Sequence, residues 1–170
     1  MKLRKLEEKD APYMLEWMHD EKVNCYFRFN PRSITLQSTL EFIKESNNDK
    51  DSYHFAIVDE NDEYLGTVSL KNIDKNSLNG EYAIALRSKR QGKGTGLFAT
   101  EEILAYAFNI LELERVYLNV LTENKHAIHF YEKIGFKYEG EFYNHIRINN
   151  DLKSIKWYRM MRFEYYDRKK

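Results

Sequence analysis

The chain has 170 residues, enough for one domain with its own core, and its 27 Lys and Arg cancel its 27 Asp and Glu. Hydrophobic residues at 42% and charged residues at 32% exclude wholesale disorder, and the zero net charge removes the basic surplus that nonspecific nucleic-acid binding uses. A single cysteine, Cys25, excludes an internal disulfide and a thiolate metal cluster, and no stretch reaches the roughly 20 apolar residues of a membrane span. These readings lead us to expect a cytoplasmic protein without a membrane or nucleic-acid partner and without a metal site.

No repeat, linker or shift in composition divides the chain, so 1–170 reads as a single domain. Residues 2–6 suit a short strand. Asp10 is placed to cap a helix that carries Tyr13, Met14 and Trp17, with Pro12 tolerated in its first turn. An aromatic loop follows at 26–31, and then a helix over 36–45 with Leu36, Leu40 and Ile43 on one face. Residues 53–58 and 64–70 read as paired strands around the polar turn 59–63, and 79–86 as a further strand.

Beyond it a helix over 96–111 is expected to turn Leu97, Ile103, Leu104 and Ala107 inward. A strand at 116–120, a helix at 124–134 and closing strands at 136–143 and 155–162 complete the order. Such an alternation implies a mixed α/β sheet with helices on both faces.

The segment Arg87-Ser88-Lys89-Arg90-Gln91-Gly92-Lys93-Gly94-Thr95-Gly96 lies between a strand and a helix. Glycines let backbone N–H groups approach an anion, and a helix start adds unpaired N–H groups and the positive end of its dipole. With Arg87, Lys89, Arg90 and Lys93 around it, a pyrophosphate is the expected guest. A Walker loop would need glycine where Arg87 stands and Ser or Thr where Gly94 stands, and a dinucleotide fingerprint begun at Gly92 would need glycine at Leu97. Both fail.

What fits is Gln/Arg-x-x-Gly-x-Gly/Ala, filled by Gln91, Gly94 and Gly96. Downstream, Val116-Tyr117-Leu118-Asn119-Val120 is followed by Asn124, Ala127, Tyr131 and then Gly135-Phe136. In both motifs and in their spacing the chain resembles the GNAT superfamily of acetyltransferases. The resemblance implies a GNAT-like acyl-CoA N-acyltransferase fold, a twisted mixed sheet of about six or seven strands flanked by helices on both faces. It further implies an acetyl-CoA-dependent N-acetyltransferase in which the acetyl group passes directly to a primary amine. Its cofactor-binding positions would be Leu86, Gln91, Gly92, Lys93, Gly94, Thr95, Gly96 and Asn124.

In the family, the strand before the glycine loop parts from the next parallel strand, and here that would separate 79–86 from 116–120. A backbone N–H near Ala85 or Leu86 would then polarise the acetyl carbonyl. By the same resemblance Tyr131, seven residues from Asn124 and so on the same helix face, would protonate the leaving thiolate. A core tyrosine packing on the sheet fits the spacing as well. Glu81 is a candidate base acting through water, sharing a strand face with Ala83 and Ala85, and an exposed strand glutamate is the other reading of it. His54, His126 and His129 form no metal-ligand pattern, and Cys25 reads as a packed small hydrophobe.

The acceptor pocket would draw on Trp17, Phe27, Arg28, Phe29 and Glu141. The layout, with Tyr138-Glu139-Gly140-Glu141, is similar to the branch holding ribosomal-protein N-terminal and spermidine acetyltransferases, and to acetyltransferases of surface-polysaccharide sugar pathways. A polyamine would call on Glu16, Asp20, Glu139 and Glu141, and a nucleotide-linked amino sugar on aromatic stacking with Arg28 or Arg147. A protein N-terminus or lysine would need an open groove. A small molecule is favoured because Tyr26-Phe27-Arg28-Phe29 suggests enclosure. A non-catalytic acyl-CoA-binding regulator is the reading from another class, and a monomer or homodimer is expected.

Overall fold

The computed structural model describes residues 1–170. Seven strands form one sheet: β1 (Lys2–Lys5), β2 (Tyr53–Val58), β3 (Tyr64–Asp74), β4 (Asn79–Leu86), β5 (Arg115–Leu121), β6 (Lys137–Ile148) and β7 (Asp151–Met161). Their order is β1-β2-β3-β4-β5-β7-β6, and every neighbouring pair is antiparallel except β4 and β5. Helices α1 (Ala11–His19), α2 (Glu21–Asn24) and α3 (Leu36–Ser46) precede β2. Helix α4 (Thr95–Ala105) follows β4, α5 (Lys125–Ile134) follows β5, and α6 (Arg162–Asp167) ends the chain. The expected mixed α/β sheet is the one observed.

Alternation along the strands divides the core in two. Val116, Leu118 and Val120 of β5, with Tyr82, Tyr158 and Met160, face one way and are covered by Ile103 and Leu104 of α4 and Ile128, Tyr131 and Ile134 of α5. Ala56, Val58, Tyr64 and Ala85 face the other way, under Met14 and Trp17 of α1 and Ile43 of α3. On α5 the buried positions recur every third residue, which is what a single apolar stripe on a 3.6-residue period requires.

Several local expectations are corrected. Asp10 makes no cap for α1. It closes a 3-10 turn in the right-handed helical region, so its carboxylate points back and accepts from Arg4 Nη1 at 2.7 Å and from the Glu7 N–H at 2.8 Å. Leu97 is 51% exposed, because the buried stripe of α4 runs through Thr95, Ala99 and Ile103. Two residues on from Thr95, Leu97 lies about 200° round the helix. The helix ends at Ala105, and a π turn over Tyr106–Ile110 carries the chain onward. The closing strands are longer than expected, and a short helix follows them.

Candidate active site

The site is an opening in the sheet. Strands β4 and β5 pair only at Asn79 with Arg115, Gly80 with Val116 and Glu81 with Tyr117, although β4 continues to Leu86 and β5 to Leu121. Each keeps its other neighbour over that stretch: Leu86 stays opposite Gly66 of β3, and Leu121 opposite Ile155 of β7. Arg87 donates its N–H to the Leu65 carbonyl at 3.0 Å, so alternation turns the N–H groups of Leu86 and Ile84 away from β3 and into the gap. A buried unpaired amide costs free energy, and a gap that keeps such groups is a place to hold a polar ligand atom. Gly66 lets β3 press close here, since a Cβ on it would lie 2.4 Å from the Ala85 carbonyl oxygen.

The two titratable candidates lie on opposite faces of this opening. Tyr131 on α5 is 9% exposed, in edge contact with Tyr82 at 5.9 Å and Phe136 at 6.0 Å between ring centres. Its hydroxyl has no protein partner, and burial pushes its pKa up to about 12. It therefore stays a proton donor at neutral pH. Glu81 lies on the other face, where Oε1 accepts from Lys71 Nζ at 3.3 Å and from Asn119 Nδ2 at 3.2 Å, and Oε2 accepts from Asn72 Nδ2 at 2.8 Å. Asn119 in turn accepts from Arg28 Nη2 at 2.7 Å, which ties the aromatic loop across the mouth of the gap. Asn119 was not anticipated from the sequence. Its position on β5, two residues past Tyr117, was the available signal.

The glycine loop ends beside the opening. Gly92 and Gly94 hold φ of 71° and 80°, and no atom lies within 4 Å of where a Cβ would be. Gly94 is the residue before α4 and carries no side-chain cap, so the first N–H groups of the helix, from Thr95, Gly96 and Leu97, have no partner inside it. These groups fit a diphosphate: free amides, a helix dipole and space in which a side chain would intrude. Gln91 and Lys93 are exposed beside them, while Thr95 is buried. Asn124 caps α5, its Oδ1 accepting from the Ala127 N–H at 3.1 Å.

The ring of four basic side chains around this loop does not form. Arg87 is buried, with Nη2 2.7 Å from Glu16 Oε2 and Nη1 3.0 Å from Glu63 Oε1, and its guanidinium lies over the Tyr13 ring. Arg90 pairs with Glu63 at 3.0 Å. Bound at short range to carboxylates, both are structural ties; Lys89 also lies 3.8 Å from Glu63, and Lys93 is the basic side chain of the loop left for an anion.

Of the expected acceptor residues, Trp17 is corrected. It is 5% exposed and donates its indole N–H to the Tyr64 hydroxyl at 3.1 Å, so it belongs to the core. Phe27 and Phe29 are half-buried against it, at 5.4 and 6.2 Å between ring centres. Arg28 alone of the loop reaches the opening. Glu141 lies out on β6, 3.3 Å from the Thr122 hydroxyl. Cys25 is exposed at the end of α2, not packed, because the apolar side of that short helix is taken by Val23. No three His, Cys, Asp or Glu side chains gather as metal ligands, and no helix is long and apolar enough to cross a membrane.

A parallel strand pair that parts beside a glycine-led, uncapped helix start is an arrangement suited to an acyl-coenzyme A transferase. The chain belongs to the GNAT family of acetyltransferases: the family model for the acetyltransferase (GNAT) domain matches residues 1–137. It is similar to the spermidine N(1)-acetyltransferase of Vibrio cholerae, 27% identical with 98% of this chain and 95% of that protein covered. The spermidine N(1)-acetyltransferase of Escherichia coli K12 is 30% identical over 91% of this chain and 82% of its own length. The crystal structure of the Vibrio cholerae spermidine N-acetyltransferase in complex with CoA and spermine superposes with a TM-score of 0.90, at 27% identity and 97% coverage of both chains. The protein is an acetyl-CoA-dependent N-acetyltransferase.

Proposed function

We propose that the protein acetylates the primary amine of a small molecule, an amino sugar (nucleotide-linked or free) or a polyamine, by direct attack on acetyl-CoA. The observation that carries this reading is the opening beyond Glu81 and Tyr117, with Tyr131 on one face and Glu81 on the other. The diphosphate of the coenzyme lies on the amides of residues 92–97, with Gln91 and Lys93 beside it, and the pantetheine arm passes between α4 and α5 into the gap. Asn124 adds a contact from the start of α5.

The neutral amine approaches from the α1–α3 face and attacks the thioester carbonyl. The Leu86 N–H donates to the developing oxyanion, Glu81 takes the ammonium proton through water, and Tyr131 delivers a proton to the sulfur as the C–S bond breaks. Amide and free thiol are the products. Relatives that act on spermidine support the polyamine, and the loop tied across the mouth of the gap by Arg28 and Asn119 supports a small acceptor over a protein tail.

The test is release of free thiol from acetyl-CoA with a panel of amines: spermidine, amino sugars and an N-terminal peptide. Turnover of a small amine above the peptide is expected. Turnover of the peptide alone would overturn the acceptor class, and acetyl-CoA binding without release for any amine would leave a regulator.

A further inference from the structure

The charges on the acceptor face of the opening are almost all spent on one another. Glu81 is 3.3 Å from Lys71, Glu139 is held by Arg115 and lies 3.6 Å from Arg159, and Glu164 is 2.5 Å from Arg159. Arg28 is the exception. It is exposed over the gap and has no carboxylate within ion-pair distance, its one hydrogen bond being to the neutral amide of Asn119. The connection between α2 and α3 that carries it, residues 25–35, contains Arg28 and Arg32 and no Asp or Glu. Of two further carboxylates, Glu16 is paired with Arg87, and Asp20 caps α2 by accepting from the Lys22 N–H.

Beside Glu81 on the same face, a cavity of about 410 Å³ is lined by Asn79, Arg115, Tyr117, Glu139, Phe142 and Trp157. Three of its walls are aromatic, and the Trp157 indole N–H is buried without a protein acceptor. The three flat rings suit a ring-bearing ligand. A polyamine offers neither anion nor ring, and its further ammonium groups would meet the unpaired Arg28.

We infer that the acceptor is an amine attached to a phosphate-bearing ring compound, a sugar phosphate or nucleotide-linked amino sugar, with Arg28 as the residue that selects the anion. The guanidinium holds phosphate oxygens in a forked, charge-assisted contact, the aromatic cavity receives the ring, and the amine is left at Glu81 beneath the gap. This inference rests on the acetyl-transfer reading and chooses between the acceptors it leaves open.

The experiment compares kcat/KM, by thiol release from acetyl-CoA, for UDP-glucosamine, glucosamine 6-phosphate, glucosamine and spermidine. At low salt one or both phosphorylated amines should exceed glucosamine by about tenfold to a hundredfold, the range of a hydrogen bond to a charged group. Added KCl should narrow that ratio. UDP-glucosamine first places a nucleotide in the aromatic cavity, and glucosamine 6-phosphate first places the phosphate on Arg28 without it. In Arg28→Gln the ratio should fall to near one, and in Arg28→Lys it should be kept in part. A ratio that survives Arg28→Gln, equal rates for charged and neutral sugars, or spermidine as the best acceptor would overturn the inference while leaving acetyl transfer intact. No thiol release from any amine would instead strike at the acetyl-transfer reading beneath it.

Discussion

Glu81 and Tyr117 form the last rung of the parallel ladder between β4 and β5, and beyond them the strands part. The separation lies in the middle of a sheet whose other ladders continue past it, so it is held open from both sides. Gly66 keeps β3 against the Ala85–Leu86 end of one strand, and Ile155 keeps β7 against the end of the other. A proton donor in the core on one face and a hydrogen-bonded carboxylate on the other then flank the same gap.

Tyr131→Phe separates chemistry from binding. The hydroxyl makes no protein hydrogen bond, so removing it leaves packing against Tyr82 and Phe136 intact and the melting temperature close to wild type. Loss of acid catalysis should lower kcat by about 10²-fold or more. Steady-state thiol release beside acetyl-CoA titration reads both quantities, and an unchanged kcat would return Tyr131 to a core role.

Gly94→Val tests the loop. A φ of 80° is strained for a β-branched residue, and the added side chain would occupy space in front of the helix amides. Acetyl-CoA affinity should fall by tenfold or more, about 1.4 kcal/mol, as measured by calorimetry. Affinity that survives would move the diphosphate elsewhere.

How much of this could be read beforehand differs by residue. The turn at Gly94 was legible because a positive φ at a strand-to-helix junction leaves few residue choices, and the cap at Asn124 because its side chain serves its own helix; Gln91 and Gly96 were singled out by the family motif alone. The parting of β4 from β5 was not readable from Asn79–Leu86 itself, since register is set by partners and a strand's residues do not name them; the family resemblance supplied it. Arg87 read as a phosphate ligand because its partners Glu16 and Glu63 lie 71 and 24 residues away. Trp17 could line a pocket or fill a core at the same helical spacing, and only the fold brought the Tyr64 hydroxyl to its indole N–H. Asn119 read as one polar residue on an alternating strand until the Arg28 loop was placed over it.

Alkaline stability follows from the buried phenols. Burial raises the pKa of Tyr131 from 10 to about 12 and shifts Tyr64 and Tyr82 upward as well. In the unfolded chain these groups lose protons near pH 10, while the folded chain still holds them. Their contribution is therefore complete below pH 10 and is lost as pH rises through the folded values. For Tyr131 alone the loss reaches about 2 kcal/mol by pH 12. Thermal melts from pH 8 to about 12, followed with tyrosinate absorbance, should show the melting temperature falling only above about pH 10. A fall beginning well below that would point to other groups.

The central claim, that acetyl-CoA is gripped by the loop amides and reaches into the gap between β4 and β5, is tested most directly by hydrogen exchange with and without the coenzyme. Amides of residues 84–86 and 92–97 should slow together at saturating acetyl-CoA, with the β6–β7 hairpin unchanged. Binding that leaves both stretches exchanging at their free rates would contradict it.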